Sequence, residues 1–68
     1  MATAPTLEKK LYRITEAQHV LSMGKTAIFA EIRDGRLRSV GTGKARRIPA
    51  EAIDAYIELL KSEAEDAA

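Results

Sequence analysis

The sequence predicts a mainly α fold carrying one small β-hairpin. Three observations lead there. The run Thr15-Glu16-Ala17-Gln18 opens a helix that Ser22-Met23-Gly24 breaks after two turns. A second helix then stops at Asp34-Gly35, and Ile53, Tyr56, Ile57 and Leu60 recur at helical spacing near the C-terminus. With 68 residues the chain holds one small domain, and a domain of this size buries only about 60% of the surface its unfolded chain exposes. It has no cysteine and one histidine, which excludes a disulfide framework and a thiolate or multi-histidine zinc site. The sequence calls for no cofactor.

Each element follows from local chemistry. Residues 1–10 lack any period and are expected to be a flexible N-terminal tail; Tyr12-Arg13-Ile14 suggests a brief strand. Threonine followed three residues later by glutamine is a capping-box pattern, which places the first N-cap at Thr15. Ala17, Val20 and Leu21 are expected on its buried face. Gly24 is an acceptable N-cap for a second helix over Lys25 to Arg33, whose buried stripe is Ile28, Phe29 and Ile32. Gly35 supplies the left-handed conformation that ends it. Leu37-Arg38-Ser39-Val40 and Ala45-Arg46-Arg47-Ile48 flank Gly41-Thr42-Gly43-Lys44, the pattern of a hairpin. Pro49 keeps Ile48 extended and can open the next helix. That helix is expected from Ala50 to Ala64, so the domain spans 11–64 and 65–68 form a C-terminal tail.

The net charge of +1 conceals a strong asymmetry. Through Ile48 there are ten basic and four acidic residues, a balance of +6; from Pro49 onward one base faces six acids, a balance of −5. A basic front suggests a nucleic-acid surface, and an acidic helix suggests a solvated or partner-facing one. No apolar run reaches the length of a membrane span, and the N-terminus lacks a signal-peptide core. The expected location is therefore the cytoplasm, with no membrane partner.

Helix, tight turn, helix, basic hairpin and helix is the layout of a winged helix-turn-helix. The residues that carry it are Thr15-Glu16-Ala17, Ala27-Ile28-Phe29, Ile32-Arg33-Asp34-Gly35-Arg36-Leu37 and Arg47-Ile48-Pro49. In that order and spacing, from Leu11 to about Ile57, they resemble the small excisionase-type domains of the MerR-like winged-helix superfamily. Members of that family usually carry glycine in the turn and serine or threonine capping the second helix; here Ser22 and Gly24 occupy those places.

A helical wheel turns Thr26, Ala30 and Arg33 outward, with Ala27 on the flank and Lys25 at the N-terminal end. The resemblance implies base contacts at the same positions. Arg33 suits guanine, Thr26 can donate or accept, and the two alanines suit thymine methyls. Two alanines make a poor code, so phosphate contacts are expected to dominate affinity. The hairpin supplies them through Arg38, Thr42, Lys44, Arg46 and Arg47. Its glycines keep the tip slim enough for a minor groove.

The chain carries no Ser-His-Asp set, Cys-His set or phosphate loop, so it is read as a DNA-binding protein and not an enzyme. The resemblance implies an excisionase, a recombination directionality factor that binds double-stranded DNA cooperatively, bends it, and assists a phage integrase. A transcriptional regulator of the same fold is an alternative reading. So is an interaction adaptor working through the acidic last helix. On that helix Glu58 and Leu59 are candidate partner contacts, with Leu59 expected off the buried stripe. The opposed charges also suggest head-to-tail association on DNA.

Overall fold

A computed structural model describes residues 9–67. The chain runs β1 (Leu11–Arg13), α1 (Ile14–Leu21), α2 (Lys25–Arg33), a 3-10 turn at Gly43–Ala45, β2 (Arg47–Pro49) and α3 (Ala50–Ala67). This is a winged helix-turn-helix. β1 and β2 pair antiparallel, with Leu11 opposite Pro49, Tyr12 opposite Ile48 and Arg13 opposite Arg47. The helix-turn-helix and the wing lie between these two strands in sequence. The expected tail over 1–10 falls outside the described residues except for Lys9 and Lys10, and α3 runs beyond the expected end at Ala64 to Ala67.

α1 starts earlier than its capping-box pattern predicts. Arg13 is the N-cap, in extended geometry, and its backbone N–H donates to the Glu16 carboxylate at 2.7 Å. Pairing with Arg47 holds Arg13 in the strand, so the chain turns helical at Ile14 and Thr15 lies inside the helix. Both helices of the pair end in a left-handed residue. After α2 it is Gly35 (φ 80°), and the Arg36 N–H closes onto Glu31 O at 3.0 Å. After α1 it is Ser22 (φ 55°), and the Met23 N–H closes onto Gln18 O at 2.9 Å. Such closures satisfy carbonyls that a helix end leaves without partners.

The wing is less regular than the expected hairpin. Its two arms meet at one bridge, Val40 with Arg47, whose two hydrogen bonds are each 2.8 Å. Leu37 cannot join a ladder, because its N–H is committed to Glu31 O at the end of α2 and its side chain is buried. The tip winds into the 3-10 turn, closed by Ala45 N–H to Thr42 O at 3.0 Å. At Gly41 (φ 78°) a Cβ would lie 2.6 Å from Ala45 O, so only glycine fits there.

Ala17, Ile28, Leu37, Ile48, Ala52, Ile53 and Tyr56 form the core, with Tyr12, Ile14, Leu21, Met23, Ile32 and Ile57 packed around it. Three expected core residues lie outside: Val20, Leu60 and Phe29, the last half-buried and apart from the core cluster. Val20 is 52% exposed, on a shallow groove shared with Tyr12, Ile53 and Ile57. Leu60 is exposed while Leu59 is half-buried, the reverse of the expectation. The cause is Ala52, which is buried and turns the inner face of α3 toward Ala52, Tyr56 and Leu59.

Candidate nucleic-acid interface

The N-termini of α1 and α2 and the return arm of the wing surround one open groove. Arg13, Ile14, Thr15 and Gln18 contribute from the first helix and its cap, Lys25 and Phe29 from the second, and Gly43, Lys44, Arg46 and Arg47 from the wing. Five of these are basic and none is acidic. The outer face of α2, formed by Lys25, Thr26, Phe29, Ala30 and Arg33, continues from it through Lys25 and Phe29. Helix and wing therefore present one electropositive surface.

Lys25, Thr26, Ala27 and Arg33 are exposed, as the wheel predicts, and Ala30 is half-buried. Arg33 makes a weak contact with Asp34 at 3.5 Å, and its side chain is 77% exposed. It remains available for a ligand, since an exposed pair of this geometry contributes little. The wing residues divide. Lys44 is exposed at the tip. Arg46 is half-buried, with its guanidinium 5.8 Å from the centroid of the Phe29 ring and Nη1 donating to Ser39 Oγ at 3.2 Å. Arg47 turns back on the chain, Nη1 donating to Lys44 O and Arg46 O at 3.0 and 2.9 Å. That bond pair holds the tip closed. Arg38 lies apart, on a second groove shared with Val40, Pro49 and Glu51, and Thr42 is exposed without lining the basic groove. Glu58 sits far along α3, where it meets Lys61 at 3.4 Å.

The wheel and the hairpin pattern miss Arg13, Thr15, Gln18 and Phe29. Arg13 reaches the groove through β1 pairing with β2, a contact between distant parts of the sequence. Phe29 reads as core from its apolar character, yet it is half-buried at the groove's edge.

A polar network at the C-terminal end of α2 ties it to α3. Arg36 Nε donates to Glu31 at 2.6 Å, its two terminal nitrogens grip both oxygens of Glu63, and the Tyr56 hydroxyl donates to Glu31 at 3.0 Å. The Arg36 guanidinium holds both carboxyls below their ordinary range, and its own pKa rises in return. Burial pushes the Tyr56 phenol up. At the other end of the domain, the hydrogen bond from Lys9 lowers Glu16. Among the described residues no group of histidines, cysteines or carboxylates is arranged to hold a metal, and no helix is long and apolar enough to cross a membrane.

A small winged helix-turn-helix with a continuous basic face is a DNA-binding module. The chain belongs to the helix-turn-helix domain family, whose pattern matches residues 11–58. It is 41% identical over 46 residues to a probable excisionase of Saccharopolyspora erythraea. The match covers 68% of this chain and 47% of that protein, so the chain spans about half the length of the curated relative it matches. No solved structure matches it.

Proposed function

We propose that the protein acts as an excisionase, setting the direction of integrase-mediated site-specific recombination in a bacterial cell. The observation that carries this reading is the groove of five basic side chains, with no acidic one, joined to the outer face of α2. α2 enters the major groove with Lys25, Thr26, Ala27, Ala30 and Arg33 toward base edges and phosphates. The wing lies along the adjacent backbone, with Lys44 and Arg46 as its principal contacts and Arg38 and Thr42 on its outer arm. The fit to an excisionase in particular comes from the likeness to the probable excisionase described above.

In that role several copies bind neighbouring sites and bend the DNA so that a phage integrase assembles its excisive complex. Bending a short site costs about 1–6 kcal/mol, which several weakly specific modules bound side by side can supply. The acidic outer face of α3, carrying the exposed Glu58, is the surface offered to the integrase or to the basic face of the next copy. Leu59 turns toward the core and is not part of that surface. The reaction on DNA belongs to the integrase, and the protein itself needs no cofactor.

The test is a gel-shift titration on attachment-site DNA paired with an integrase excision assay. The expected result is several shifted species and an excision yield that rises with the protein. Binding to one promoter operator, with changed transcription and no effect on excision, would assign the protein to gene regulation instead. No salt-sensitive DNA affinity would point to an adaptor acting through α3.

A further inference from the structure

Arg46 reaches the basic groove along a path fixed from two sides. The Phe29 ring on α2 lies under its guanidinium, and Ser39 at the entry to the wing accepts from Nη1. The contact spans three segments: the recognition helix, the outgoing arm and the returning arm. A guanidinium has five N–H donors. Ser39 takes one, and among the described residues no other side-chain or backbone acceptor engages the Arg46 guanidinium. Arg47 beside it is already committed to backbone carbonyls.

A free arginine loses much rotamer freedom when it grips a phosphate. Here the ring and the hydroxyl restrict the side chain before any ligand arrives. We propose that Phe29 and Ser39 are positioning residues for Arg46. They hold it as a preformed phosphate clamp between α2 and the wing, and so set the distance at which helix and wing engage one duplex. This rests on the DNA-binding reading of the groove. Arg46 touches the phosphate, whereas Phe29 and Ser39 act through it.

The test uses the full chain and a duplex selected by the wild-type protein from a random pool. Affinity, the slope of log K against log salt, and thermal melting are measured for Phe29→Leu, Arg46→Ala, their combination, Phe29→Tyr and Arg46→Lys. Phe29→Leu and Arg46→Ala should each weaken binding about five- to tenfold. Each should also flatten the salt slope by about one unit. The double variant should bind no worse than Arg46→Ala alone, and Phe29→Tyr should retain wild-type affinity and slope. Arg46→Lys keeps the charge without the planar stack, so it should bind as weakly as Arg46→Ala.

Multiplicative losses in the double variant would overturn the proposal. So would Phe29→Leu with a lowered melting temperature but a wild-type salt slope. If Phe29→Leu fails to fold, Arg46→Lys decides alone: wild-type binding by that variant means a plain charge suffices and the clamp is wrong. A wild-type protein with no salt-sensitive affinity for any duplex fails differently, because it removes the DNA-binding reading before any variant is compared.

Discussion

Ser22 holds a left-handed conformation at φ 55° and ψ 44°, in the turn between α1 and α2. For a residue with a Cβ that region costs about 1–2 kcal/mol, and glycine avoids the cost while giving back some entropy in the unfolded chain. Ser22→Gly should therefore stabilise the domain by about 0.5–1 kcal/mol, seen as a higher urea midpoint with an unchanged slope; a lower midpoint would contradict the argument. Arg33 carries the opposite kind of information. Its exposure on the outer face of α2 leaves it free to read a base, so Arg33→Ala should cost about 1–3 kcal/mol on the preferred site and much less on random DNA. Equal losses on both would make Arg33 a backbone contact. At this scale the sequence is informative where one residue type is physically required. Gly35 and the outward set on α2 are legible from it. The N-cap at Arg13 is not, because a strand partner far along the chain imposes it.

The Arg36 network ties α2 to α3, and its charges predict an acid limb of stability. Glu31 and Glu63 both have folded pKa values below their ordinary range because of Arg36. A lowered folded value contributes stability that is fully present above the unfolded carboxylate pKa, about 4.3, and is lost as pH falls through the folded one. Arg36→Met should then be destabilised at neutral pH by an amount that stays constant as pH rises. The gap to wild type should close only below about pH 4.5, in chemical unfolding across pH. A gap that closes on the alkaline side would contradict the assignment. The same network accounts for the face that α3 buries. Counting only large apolar side chains centres the stripe between Ile53 and Leu60. The buried Ala52 and the Glu63 bond shift the face toward Leu59, and neither an alanine nor a glutamate stands out in a hydrophobic period.

Across the whole molecule, charge is sorted by surface. If Arg13, Lys25, Arg33, Lys44 and Arg46 each displace a counterion, log K should fall with log salt at a slope of about −4 to −5. A slope shallower than about −2 would sink this footprint. The acidic end of α3 should matter only when copies lie side by side. Glu58→Lys combined with Glu65→Lys, both exposed, should leave affinity for a single site nearly intact and reduce cooperativity on a multi-site fragment. Unchanged cooperativity would mean α3 is simply solvated. The order of the helices, the wing and the basic surface were legible in the sequence because each rests on local spacing or on composition. The join of β1 to β2, and Arg13 with it, was not, because three-residue strands carry almost no pattern of their own.

That join gives the domain the form of a closed ring. Cutting a ring once opens it without dividing it. The wing tip is exposed around Lys44, where trypsin can cleave. One fragment would carry β1 and both helices of the pair, and the other would carry β2 and α3. Sheet and core contacts cross between them. The nicked protein should therefore migrate as a single folded species under native conditions and as two pieces in denaturant. It would keep its recognition helix in place but lose the tether that holds Lys44 to the rest of the grip.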